Sequence, residues 1–180
     1  MTHKFLIITI SISIFFSCNI KEKSDKDIFV NDITNLEKSV MDTANYTINS
    51  KLVKELIGKY KDFAQKFKND SLTPIFILKA ADLSVSINNY NNAIELYESI
   101  NFKYPKFEKA PIALFLEAMV YADYLKNDLL AKKKYEEFIA KYPNHQLVND
   151  AKKSIEFLGK SPEEILQLIQ QPDSLTANIK

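Results

Sequence analysis

Asn89 to Pro105, NYNNAIELYESINFKYP, returns 38 residues later as Asn127 to Pro143, NDLLAKKKYEEFIAKYP. Asn, Ala, Tyr, Glu, Lys, Tyr and Pro recur at matching places, seven identities in seventeen positions, where chance gives about one. A self-match at this period is the signature of a helical repeat array. Tyr60 and Phe67 stand 37 residues before Tyr97 and Tyr104, so the stretch before Asn69 reads as a worn copy of the same unit.

Each copy predicts a pair of helices. Ser50 to Phe67 carries Leu52, Val53, Leu56, Ile57, Tyr60, Phe63, Ala64 and Phe67 on one face, a helical period. Thr73-Pro74 predicts an N-cap followed by proline at the first helical position. A first helix then runs from Ile75 to Ile87 and a second ends at Tyr104-Pro105. Ala110-Pro111 opens the same order again, with helices over Ile112 to Leu125 and Leu129 to Tyr142. A further helix follows Asn144-His145 and ends at Leu158-Gly159, where glycine suits a C-cap. Ser161-Pro162-Glu163-Glu164 is a capping box for a last helix, Ile165 to Gln170. The fold expected is all-α, a short helical-repeat solenoid of antiparallel pairs spanning 31–170, with 171–180 frayed.

The N-terminus reads as an address. Lys4 precedes an apolar run, Phe5 to Phe16, which is too short for the roughly 20 residues that span a bilayer but suits a secretory signal. Phe15-Phe16-Ser17-Cys18 resembles a bacterial lipobox, with Phe15 where leucine is usual. That resemblance implies removal of residues 1–17 and acylation of Cys18, the one cysteine in the chain. Two or three acyl chains, at about 0.8 kcal/mol per buried methylene, hold a protein on a membrane. Residues 18–30 are mostly polar and charged and read as a tether, with a short helix expected from Asn31 or Asp32, carrying Ile33, Leu36 and Val40.

Composition narrows the chemistry. All 24 basic residues are lysine and the net charge is +1, which removes the arginine fork used for phosphates and guanine edges and argues against nucleic acid. Histidine is confined to His3 and His145, so no His/Cys metal cluster can be built in the mature chain. His145 reads as a turn residue. Glycine-rich phosphate loops and nucleophile elbows are missing. Lys132-Lys133-Lys134 with Glu136 and Glu137 reads as a solvated helix face. Asp42-Thr43-Ala44, Asp70-Ser71-Leu72 and Asp173-Ser174-Leu175 resemble a bacterial O-glycosylation triplet, although Asp and Ser favour turns in any case. No cofactor is expected.

The units resemble tetratricopeptide repeats: Ala80, Ala93, Tyr97 and Pro105 match that pattern in one copy, and Ala118, Ala131, Tyr135 and Pro143 in the next. Two positions depart from it, with Ala81 or Met119 where a small glycine is usual and Ile77 or Phe115 at the tryptophan-like place. Combined with the lipobox, the chain looks similar to BamD-like and Tol-associated outer-membrane lipoproteins. The resemblance implies a noncatalytic adaptor, lipid-anchored in the outer membrane and facing the periplasm, in envelope assembly or maintenance. It also implies a groove lined by first helices, here Ile75, Leu78, Asp82, Val85 and Ser86, then Ala113, Leu116, Val120, Asp123 and Tyr124. Either these side chains hold a partner's extended peptide or helix, or they pack on flanking helices. The rival reading is a surface-displayed accessory lipoprotein for nutrient or glycan uptake.

Overall fold

A computed structural model describes residues 24–41 and 49–170, so Cys18, the signal and the 171–180 tail lie outside the described residues. The elements are α1 (Asp25–Met41), α2 (Ser50–Lys66), α3 (Thr73–Ser86), α4 (Tyr90–Lys103) and α5 (Ala110–Met119), which runs into a π-helical turn (Val120–Tyr124). They continue as α6 (Asp128–Lys141), α7 (Val148–Phe157) and α8 (Pro162–Gln170). From α1 to α7 each helix packs on its neighbours in sequence, so the described residues form the expected all-helical solenoid.

The repeat is visible atom by atom. Phe67, Tyr104 and Tyr142 end α2, α4 and α6 with nearly the same backbone, φ −118, −128 and −130°. Three residues on, the N–H groups of Asp70, Phe107 and His145 return to those residues' carbonyls at 2.9, 2.9 and 3.0 Å. Thr73, Ala110 and Val148 then donate to the Asp70, Phe107 and His145 carbonyls. Pro105 and Pro143 enforce the stop in two copies. The first copy makes the turn without one, which accounts for how worn it looks. At the other end of each hairpin Asn49, Asn89 and Asn127 occupy the N-cap, and Asn49 and Asn127 accept backbone N–H bonds there.

Small residues sit where helices cross. Ala80, Ala81, Ala93, Ala110, Ala113, Ala118, Ala131 and Ala151 are all 0% exposed, so backbones approach closely. Tyr97 and Tyr135 are buried between the helices of their hairpins, each 2% exposed, Tyr135 edge-on against Phe115. One core joins α1 to α4 with one side of α5 and Val120 of the π turn, and a second joins α5, α6 and α7.

Three local expectations change. Helix α1 starts at Asp25, inside the stretch read as a tether. Ser24 and Asp27 form a reciprocal cap, Ser24 N–H to Asp27 Oδ2 and Asp27 N–H to Ser24 Oγ, both at 3.2 Å. Phe29 then packs edge-on against Phe63 and Phe67, while Asp25 and Lys26 pair with Lys66 and Asp70. Thr73 is not an N-cap. It is the first residue of α3, fully buried, and its hydroxyl donates to the Phe67 carbonyl at 2.5 Å, fastening α3 to the end of α2. Helix α5 gives way to the π turn after Met119: Leu125 N–H reaches back to Val120 O at 3.1 Å and Asn127 N–H to Tyr121 O at 2.8 Å. In α3 the corresponding end is a Schellman motif, with Asn88 N–H to Val85 O and Asn89 N–H to Ser84 O. Phe67 to Tyr104 spans 37 residues and Tyr104 to Tyr142 spans 38. The π turn holds the additional residue, so Asn127 resumes the pattern in register.

Gly159, φ +71°, closes α7 as expected, and Ser161 with Glu164 forms the expected capping box. Helix α8 buries none of its residues.

Candidate functional site

The first-helix face divides the expected groove residues into two sets. Leu78, Ala113 and Val120 are buried in the core and offer no surface, because α3 and α5 touch the helices on both sides of them. Leu116 and Val85 are half-buried. Ile75, Asp82, Ser86, Asp123 and Tyr124 are exposed. Tyr124, 49% exposed, stacks on Tyr90 with ring centroids 4.8 Å apart and planes 22° off parallel. That pair links the end of the π turn to the start of α4. The Tyr90 hydroxyl donates to Asn88 Oδ1 at 2.6 Å, which fixes its ring.

Beneath this face the unit tyrosines tie first and second helices together through carboxylates. Tyr97 OH donates to Asp82 Oδ1 at 2.7 Å, and Tyr60 OH to Glu37 Oε1 at 2.5 Å. Burial, reinforced by the facing carboxylate, pushes both phenols up. Burial also raises the Asp82 carboxyl, against the Tyr97 bond and the charge of Lys109. At Glu37 burial pushes upward too, but the bonds from Lys79, 2.7 Å away, and Tyr60 outweigh it and hold that carboxyl below the usual range. The bond from Tyr97 gives Asp82 a structural duty in addition to its exposed edge.

Thr73 and Ala110 open α3 and α5 with the same bond, so the first helices are shifted by 37 residues and Glu117, not the expected Ala118, takes the place of Ala80; it is 0% exposed. Lys134 of α6 turns inward to it, Nζ 2.6 Å from Oε1, and also meets Glu98 at 3.1 Å and Glu137 at 4.0 Å. Burial drives the Glu117 carboxyl up to about 7 against the pull of Lys134. Burial would lower the Lys134 ammonium, but Glu117 and Glu98 outweigh it and hold it above the usual lysine range. Lys134 is thus not part of a solvated face, although Lys132 and Lys133 are exposed as expected. The signal was present in the sequence: Glu117 is a lone carboxylate inside Ile112 to Val120, otherwise wholly apolar. Such a residue needs a cation across the helix interface.

His145 lies in the turn before α7, accepting the Leu147 N–H on Nδ1 and packing edge-on against Phe138. Asp70 of the middle Asp-Ser triplet accepts the Leu72 N–H and binds Lys26, so it holds the turn. The other two triplets lie outside the described residues. Among the described residues no group of three or more His, Cys, Asp or Glu side chains is placed to hold a metal, and no helix is long and apolar enough to cross a membrane. Comparison with family models and with curated proteins finds no match for the chain.

Proposed function

We propose that this chain is a noncatalytic, lipid-anchored adaptor of the tetratricopeptide type. Cys18 is its acylated anchor, in an outer membrane and on the periplasmic side, and the α3 and α5 face receives a peptide segment or helix of another envelope protein in assembly or maintenance of that envelope. The observation that carries this reading is the Tyr90–Tyr124 stack. A fixed aromatic pair, half open to water where the π turn after α5 meets the start of α4, presents a rigid apolar anchor at little entropic cost. Exposed Asp123 beside Tyr124 in the π turn, with Asp82 and Ser86 on α3, supplies polar groups for the same partner. The repeated turns and buried alanines support a scaffold whose exposed first-helix positions can vary without disturbing the core.

A photo-crosslinking residue placed at Ser86, on this face, and in a second strain at Lys133, on the far side of α6, tests the reading in native envelopes. The expected result is one dominant adduct from position 86, absent from 133 and lost when Asp123→Ala and Tyr124→Ala are combined. An adduct with a β-barrel assembly or Tol subunit supports the adaptor. An adduct confined to uptake transporters would shift the protein to the nutrient or glycan class, and equal adducts from both positions would refute the face itself.

A further inference from the structure

The two ends of the solenoid differ in chemistry. The turns within hairpins lie at one end, where Lys126 and Lys160 share a groove with Asp123 and Asp128. The turns between hairpins, Phe67 to Leu72, Tyr104 to Lys109 and Tyr142 to Leu147, lie at the other. Tyr104 OH donates to Lys68 O at 3.0 Å and so locks the first two of these turns together. A groove between them is lined by Lys68, Lys103 and Lys106, with Tyr104, Pro105 and Phe107. All three lysines are exposed, and none of the described carboxylates forms an ion pair with them. The carboxylates in the groove are Glu108 and Asp70, and Asp70 is already held by Lys26 at 2.5 Å. Next to Lys103, Phe102 is 85% exposed, the most open large apolar side chain among the described residues.

The same end receives the N-terminus of α1, because Asp25 pairs with Lys66 and Lys26 with Asp70. Only residues 19–23 separate Cys18 from Ser24, a reach of at most about 20 Å fully extended. Helix α1 runs away from that point over 17 residues, about 25 Å. An anchor at Cys18 therefore keeps the turn end the nearer one to the bilayer, and brings unpaired ammonium groups toward the distance of roughly 10 Å over which surface charge acts.

We propose that the end of the solenoid centred on Lys68, Lys103 and Lys106 docks on the anionic phospholipid headgroups of the membrane that holds Cys18, with Phe102 entering the headgroup layer. The proposal rests on the acylation of Cys18 and deepens it: the protein stands on its membrane in a fixed orientation. The long axes of the helices are upright, and the Tyr90–Tyr124 stack, at the opposite end of the solenoid, faces away from the surface.

Lysine footprinting tests this on the full-length protein, purified from envelopes in detergent and reconstituted into phosphatidylethanolamine vesicles containing phosphatidylglycerol, or into neutral phosphatidylcholine vesicles. A water-soluble amine reagent should modify Lys103 and Lys106 about fivefold more slowly on the anionic vesicles than in detergent, with Lys126 and Lys160 unchanged. Neutral vesicles or 0.5 M salt should abolish most of the protection, as should the combined Lys68→Gln and Lys106→Gln variant when read at Lys103. The mass of the N-terminal peptide reports the anchor separately. Absence of acyl chains there overturns the anchor and the docking together. An acylated protein whose two ends are modified at equal rates overturns the docking alone. Protection in detergent by inorganic phosphate, with no further gain on vesicles, would also overturn it, since the groove would then be a small-anion site.

Discussion

Replacing Glu117 by glutamine should change how stability depends on pH. The carboxyl is enclosed by α5 and α6, faced by Lys134 and, farther off, by Glu98, Glu137 and Tyr121. Burial raises it from an ordinary 4.5 to about 7, so the folded chain binds this proton more tightly than the unfolded chain does. The stabilisation from protonation is complete below about pH 4.5 and is lost as pH climbs to about 7. At 1.36 kcal/mol per unit the loss is about 3 kcal/mol, roughly 10 °C in Tm for a chain of this size. Glutamine keeps the shape and removes the titration. Urea denaturation followed by far-ultraviolet circular dichroism at pH 4.5 and pH 8 should therefore show the Glu117→Gln variant gaining about 3 kcal/mol on the native chain between the two conditions. Parallel curves for the two proteins would refute the reasoning and mean that Lys134 compensates Glu117 fully. Lys134→Met sharpens the test by removing the near cation: stability at pH 8 should fall, by up to 3 to 5 kcal/mol if Glu117 remains charged, and recover substantially at pH 4.5.

Substitutions at Ala131 and Lys126 probe the repeat itself. Ala131, 0% exposed in the α5–α6 crossing, leaves no room for more carbon, so Ala131→Leu should cost about 1 to 3 kcal/mol in urea denaturation, whereas Ala140→Leu on the exposed face should be near neutral. Lys126 sits at φ +51°, where Asn88 sits at +60° in the preceding unit. Lys126→Asn should raise stability by a few tenths of a kcal/mol and Lys126→Val lower it by about 1 to 2, a difference readable in thermal melts.

The hairpins were legible because each depends on residues with one physical use. Tyr97 and Tyr135 fill gaps, the alanines permit close approach, and Pro105 and Pro143 stop helices. The start of α1 was hidden because Ser24 to Asp27 looks merely polar until the capping bonds are seen, and Phe29 finds its partners only across the fold. Thr73 misled for a related reason: a threonine before proline fits an N-cap, but the Phe67 carbonyl six residues back offered a tertiary bond. The groove was the least legible part. Periodicity assigns residues to a helix face, but α3 and α5 each lose part of that face to neighbouring helices, which takes Leu78, Ala113 and Val120 inside. The pairing of Glu117 with Lys134 was half legible, since the odd carboxylate shows in the sequence and its cation does not.

The π turn at Val120–Tyr124 has a consequence for how such a chain can change over generations. Adding one residue to an α-helix ordinarily rotates everything after it by about 100° and would turn the buried side of α6 toward water. Here the change of count is taken up as local slack within five residues, and α6 keeps its footing. Lengths of 37 and 38 can therefore coexist in one array, and this segment is where a lineage can gain or lose a codon while the unit beyond it goes on folding as before.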